Sequence, residues 1–461
     1  MRVRRSIVAI ASALVVGCGP AGPSATPAGG PTPGSVTTPT PGTAASAPLP
    51  TTAETILVGR IIRMDGPGVA EAIALAGGFV IAVGDRDDVM QVADGSTKVI
   101  DLGTNVAYPG FVDAHSHWIG DRGMMGLGTP AEAIQAAVSR GWTSITETWV
   151  DQVRMDELRA LDAAGELKLR VDGYLALNLP GPSGEHLGDW YLVYRPGESP
   201  SDHLRFPGVK FTIDNGWGTK FWWTADDLAA AVKRADGAGW QIASHTVSTE
   251  AHDMLLDAYE AVLAGGPNVH HHRVDHAIQV TDEQLARMKA MDLVPIVHLD
   301  GAAADWVLEA DYLGHLNEPG EPTAWLARWR DMADAGLKIA GAVDAPWIFP
   351  DFVLKSDIGR PVDQIAGAMD GVGRKNTEIP TWVLKQLLTV DQALAAVTWD
   401  AAWAINDIDR RGHLAVGTYA DITILSGDVT AATPDQIRRM DVIATIVGGS
   451  AAFCAVAAYC P

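Results

Sequence analysis

Between residues 108 and 344 the chain repeats one pattern eight times, a short apolar run followed by a helix-like segment. The runs fall at 108–115, 142–148, 169–177, 208–214, 240–245, 272–276, 293–299 and 338–344. Each has the length of a strand. Helices between successive strands return the chain to the same end of a sheet, so the strands must run parallel. Eight such units in roughly 240 residues fit a (β/α)8 TIM barrel, and the class is α/β. An open doubly wound sheet alternates too, but no G-x-G-x-x-G follows the first strand to support it. Three helices announce their starts with a Thr three residues before an acid or amide: Thr129 with Glu132, Thr281 with Gln284 and Thr389 with Gln392.

The flanks read differently. Residues 54–105 are strand-like, broken by Gly- and Asp-containing turns. Beyond the helical stretch 392–405, segments 420–425 and 442–447 are again β-branched and apolar. The two ends are expected to join as one small β-sandwich domain, 54–105 with 410–461, beside a barrel domain of 106–409. Cys454 and Cys460 stand six residues apart near the end, a disulfide pair or two free thiols.

At the start, Arg2, Arg4 and Arg5 precede an apolar stretch of about ten residues, the length of a secretion signal and too short for a bilayer. Val15-Val16-Gly17-Cys18 resembles a bacterial lipobox. Residues 1–17 are therefore read as a signal peptide and Cys18 as a lipidated residue. Residues 18–53, uncharged and rich in Gly, Pro, Ser and Thr, read as a disordered linker. The expectation is an exported protein, lipid-anchored to a bacterial membrane, with its globular part periplasmic or extracellular. With 34 basic against 56 acidic residues, a formal charge of −22 argues against broad attraction to nucleic acid or anionic lipid.

Chemistry concentrates at the ends of the barrel runs. His115-Ser116-His117 sets two imidazoles two residues apart, and on a strand such positions share a face. At the C-terminal end of a first barrel strand, both would enter the mouth where barrel enzymes carry their active sites. Lys210 sits in the fourth run, where a cation facing the interior is costly unless neutralised. His245, His276 and Asp344 end the fifth, sixth and eighth runs. Random scatter of 13 histidines would rarely mark strand ends this way.

On these residues the chain resembles metal-dependent amidohydrolases, and within them the third amidohydrolase family, which includes N-substituted formamide deformylases. The segments that carry the resemblance are Pro109 to His117, Gly208-Val209-Lys210, His245 with the helix reaching Glu260, Arg273 to His276, and Val343 to Pro346. The closing segment from Gly412 through Gly417 to Asp421 adds to it. The resemblance implies two divalent metal ions, zinc foremost. His115, His117 and Asp344 would hold the more buried ion, and His245 with His276 the second. Lys210 would bridge both as a carbamate formed with carbon dioxide.

It further implies a metal-bridging hydroxide as nucleophile and Asp344 as general base and then acid. The small-molecule substrate would carry a non-peptide C–N bond: an amide, cyclic amide, carbamate or formamide. A deaminase or esterase on the same scaffold is the alternative, although a deaminase has no need of the Lys. A non-catalytic ligand-binding surface lipoprotein would have no need of the six groups. Three departures from the family pattern stand out, one being the lack of a long insertion between the first and second strands, near Trp118–Gly128. Thr246-Val247-Ser248-Thr249 follows His245, and Asn215, Trp217 and Lys220 interrupt the loop after Lys210.

Further candidates surround this set. His298 ends the seventh run, as a substrate contact or a packed core histidine. Trp217, Trp222 and Trp223 follow the fourth strand and are expected to wall an apolar substrate pocket. Glu147, on the second run, is read as an acid standing behind the metal ligands or as half of a structural ion pair, the latter favoured. Asp275, next to His276, is placed on the opposite strand face, anchoring barrel to helix. His270-His271-His272 invites a metal-tract reading, but it precedes a strand and reads rather as a solvated lead-in.

Overall fold

The computed structural model describes residues 48–461 apart from 67, 180–183, 217, 301–324, 348–358, 374–378 and 380. Residues 1–17, Cys18 and Trp217 lie outside the described residues.

The apolar, β-branched ends form one seven-stranded mixed sheet. Its N-terminal strands are β1 (Thr55–Ile62), β2 (Val69–Ala76), β3 (Phe79–Gly84) and β4 (Lys98–Pro109). Gly77 and Gly78, at φ 58° and 85°, make the β2–β3 turn, a conformation that a side chain would resist. β4 stays extended through Pro109, past the point where the sequence pattern fades. The strands β13 (Ile422–Leu425), β14 (Val442–Val447) and β15 (Ser450–Cys454) complete the order β15-β14-β13-β4-β1-β2-β3. Chain start and chain end therefore meet where Ile422 pairs with Pro109. Leu57, Ile61, Ile73, Val80, Ile100, Leu102, Ile424 and Ile446 bury against one another on this sheet. Each such side chain contributes roughly 1.5–3 kcal/mol. Cys454 and Cys460 are disulfide-bonded.

The eight middle runs become eight parallel strands in strict sequence order. They are β5 (Phe111–Ser116), β6 (Trp142–Val150), β7 (Arg170–Ala176), β8 (Leu204–Thr212), β9 (Gln241–Thr246), β10 (Arg273–His276), β11 (Val294–Val297) and β12 (Ala340–Gly341). β12 is two residues long, and the last gap closes beyond it. There the Asp344 amide donates to the His115 carbonyl (2.9 Å) and the His117 amide to the Ala345 carbonyl (2.8 Å). The ring is thus sealed at the mouth by the segments that hold His115, His117 and Asp344. All three Thr capping boxes are formed, each satisfying two backbone amides that would otherwise lack a partner.

The opposite end of the barrel is closed by ion pairs. Arg205 and Arg411 both bind Asp172 (2.7 and 2.9 Å), and Arg411 also binds Asp407. Arg170 grips Asp421 of the small sheet through two nitrogens at 2.6 and 2.9 Å. Burial works against the Asp407 carboxylate, but Arg411, Arg205 and Arg410 outweigh it and hold its pKa down to about 2. A depressed carboxylate adds stability above its unfolded pKa, near 3.9, and loses it as pH falls through the folded value. Arg411→Met should therefore cost about 1–3 kcal/mol at pH 7, because it removes one partner of two buried carboxylates that Arg205 and Arg410 still attend. That deficit should shrink between about pH 4 and pH 2. Urea unfolding at stepped pH checks both, and a deficit independent of pH would refute the ion-pair origin.

Candidate metal centre

Side chains from five strands meet at the barrel mouth. β5 delivers His115, with His117 just beyond it; β8 delivers Lys210; β9 and β10 deliver His245 and His276; and Asp344 follows β12. Lys210 is wholly buried and His115 and His117 nearly so. His115 Nε2 and His117 Nε2 lie 3.5 and 3.3 Å from the same Asp344 oxygen, Oδ1. His276 Nδ1 is 4.0 Å from Oδ2. Ligand atoms of His115, His276 and Asp344 all fall within 4.8 Å of one another. The His245 and His276 rings stand 4.2 Å apart, edge to face.

One ring nitrogen of each of three histidines is tied down. His115 Nδ1 donates to Asp275 Oδ2 (2.8 Å), and His117 Nδ1 faces the Thr148 carbonyl (3.1 Å). His276 Nδ1 meets His298 Nε2 at 2.8 Å. Burial, reinforced by Lys210, lowers His115 and His245 to about 3; burial with the neighbouring imidazoles takes His276 well below the ordinary range. Neutral imidazole is the form that binds metal. With Nδ1 protonated, Nε2 of His115 is an acceptor that lies 3.5 Å from Asp344 Oδ1 and 3.3 Å from the Thr148 hydroxyl. Nε2 of His245 and of His276 are buried and make no hydrogen bond to any described residue. His115, His276 and Asp344 bring their ligand atoms together, while His245 Nε2 lies 3.8 Å from Asp214 Oδ1; neutral imidazoles beside carboxylates fit a divalent cation. Burial also lowers the Lys210 ammonium to about 8, against the pull of Asp275 at 2.5 Å.

The sequence pattern of the amidohydrolase family matches residues 127–453. The chain belongs to that family. It is 29% identical over 232 residues to YtcJ of Bacillus subtilis, which carries an amidohydrolase name; the match covers 49% of this chain and 39% of that protein. It is 24% identical over 333 residues to an N-substituted formamide deformylase of Arthrobacter pascens, covering 67% of this chain and 57% of the relative. The chain thus spans less than two thirds of either relative's length. Its fold is that of a metal-dependent hydrolase from Pyrococcus horikoshii: the TM-score is 0.67 at 16% identity, covering 83% of this chain and 99% of that one.

Several features of the structure correct or extend the sequence reading. Asp275 does not anchor barrel to helix. Arg273 and Asp275 face the interior by strand alternation, Asp275 accepting from Lys210, His115 and Arg273 Nε (3.0 Å). His276 would then point outward, but its φ of 74° turns it back into the mouth. Trp149 (φ 61°) and Asp344 (φ 51°) are turned by the same uncommon conformation, which clusters at functional sites.

Glu147 forms no ion pair among the described residues. Its carboxylate accepts the Ile119 and Gly120 amides (2.6 and 3.0 Å), and burial raises it to about 7. The aromatic wall beside the histidines comes from Trp149, 4.3 Å from His117, and from Trp347, edge-on to Trp149 at 5.4 Å. The Trp222 ring lies against Gly184 and under Lys220 Nζ (3.9 Å), while Trp223 stacks on His186. The His270–His272 tract is structural in part, for buried His272 takes the Ile242 amide and reaches Asp236 (3.0 Å).

Proposed function

We propose that this chain is a metal-dependent hydrolase of non-peptide C–N bonds, acting on an amide, cyclic amide, carbamate or formamide. The observation that carries the reading is the convergence of His115, His276 and Asp344 at a barrel mouth, beside buried Nε2 atoms of His245 and His276 that no described residue satisfies. The family and the formamide deformylase relative support the bond class. The lipobox and charge-free linker support an exported, lipid-anchored protein.

His115, His117 and Asp344 would hold the more buried ion and His245 with His276 the other, zinc suiting the imidazole-rich set. Lys210 would be a further ligand to them if its amine had added carbon dioxide, forming an N–C bond and releasing one proton. Arg273 then remains as the cation beside Asp275. When bound, the ions polarise the substrate carbonyl and lower the pKa of water. Asp344 does the proton work. Burial opposes its charge, but His117 and His115 hold it down to about 2, so it is ionised at neutral pH. It accepts the proton of the attacking water and returns it to the departing nitrogen. Trp149 and Trp347 offer an apolar flank for the substituent on that nitrogen or on the acyl carbon.

Exhaustive chelation should abolish turnover of a panel of amides, lactams and N-substituted formamides. Adding back zinc, cobalt or manganese should restore it. Undiminished turnover by protein shown metal-free by elemental analysis would refute the reading.

A further inference from the structure

The seventh strand contributes an imidazole that the mechanism above leaves unused. His298 is 3% exposed, just past β11, with its ring 5.0 Å from that of His276. Its Nδ1 faces the Ala342 carbonyl at 3.1 Å, and a carbonyl can only accept, so that nitrogen carries the proton. Neutral imidazole has one N–H, which leaves His298 Nε2 as an acceptor. The 2.8 Å contact to His276 Nδ1 is therefore a bond that His276 donates. His276 in turn is left bare at Nε2, the buried atom that no described residue satisfies.

The direction of the relay is set by main chain. Ala342 is pinned by its own amide, which donates to the Val297 carbonyl (2.9 Å). It also stands two residues before Asp344, so one backbone segment places the carboxylate and fixes the hydrogen-bond polarity. His115 Nδ1 faces the Asp275 carboxylate, which can only accept, and His117 Nδ1 faces the Thr148 carbonyl at 3.1 Å and the Thr148 hydroxyl at 3.2 Å. The partner of His276 is another imidazole, able to give or take, and only the Ala342 carbonyl decides which.

We propose that His298 is a positioning residue that fixes the tautomer and aim of His276 for a cation at its Nε2, and is not a substrate contact. The inference rests on the metal-hydrolase reading. The test is titration of metal-free protein with cobalt, followed by visible absorption and elemental analysis, in wild type, His298→Gln and His298→Leu. The Gln amide can donate to the Ala342 carbonyl and accept from His276. His298→Leu should weaken one cobalt site about 10–100-fold, and His298→Gln should stay within about threefold of wild type. Nitrogen-15 spectra of histidine-labelled, metal-free wild type should report His276 protonated at Nδ1, a readout that survives if the Leu variant fails to fold. Cobalt binding unchanged in His298→Leu with only KM raised would overturn the proposal and make His298 a substrate contact. Nitrogen-15 spectra with the proton on Nε2 of His276 would overturn it as well. A wild type that binds no cobalt but keeps the Nδ1 tautomer would sink the metal reading while upholding the relay.

Discussion

Asp344→Asn should lower turnover by about a thousandfold while leaving divalent-ion content near that of wild type, because a positioned acid–base group is worth about 10²–10⁴. The amide keeps an oxygen where Asp344 Oδ1 faces His115 and His117, so a ligand position survives. It cannot take up and return a proton at neutral pH. The backbone should tolerate the change well, since Asn is among the side chains most at ease at the φ of 51° found here. The amide bond to the His115 carbonyl is also unaffected. Steady-state kinetics beside elemental analysis decides the matter. Loss of both activity and metal would make Asp344 chiefly a ligand; turnover within tenfold of wild type would remove it from proton transfer.

The second large effect belongs to Asp275. Its carboxylate sits among Lys210, Arg273 and His115, all essentially inaccessible to solvent. Burial alone would raise its pKa, yet Arg273, Lys210 and His115 pull it well below the carboxylate range. Asp275→Ala leaves two buried cations without their shared counter-ion, and it frees the His115 ring. The expected loss is about 3–5 kcal/mol in the metal-free protein. Metal affinity should fall about 10–100-fold as His115 loses its orienting partner. Lys210→Met should be milder on stability, because Arg273 and His115 still attend Asp275, but it should remove the bridging ligand. Denaturation of metal-free protein and metal stoichiometry separate the two variants. Equal stability of Asp275→Ala and wild type would show that the carboxylate contributes no net stability.

Much of this was legible in the sequence because barrel strands and their caps obey local rules. Apolar runs ending in His or Asp gave strands and mouth residues together, and the Thr–acid and Thr–amide spacings gave helix starts at Thr129, Thr281 and Thr389. What escaped the reading escaped for one physical reason. Alternation holds only while φ stays in the β region, and at His276 and Trp149 it does not. A strict period of two, anchored on an inward His276, sends Asp275 outward, the reverse of what β10 does. Trp149 turns beside His117 by the same device, and nothing in its neighbours' composition signals a positive φ at a Trp. The pairing of His276 with His298 depends on strands being adjacent in space, which a linear pattern does not encode.

Gly110 carries a consequence of its own. It alone separates β4 from β5, and a Cβ there would fall 2.1 Å from Thr143 Oγ1. A ribbon spliced from one sheet into the next through a single residue has no slack to absorb movement. His115 comes five residues later, about 16 Å along an extended chain. Any tilt of the outlying strands is thus transmitted down a stiff rod to the imidazoles. The last forty residues, laid beside β4 through β13, act as a remote mount for the aim of groups more than three hundred positions earlier.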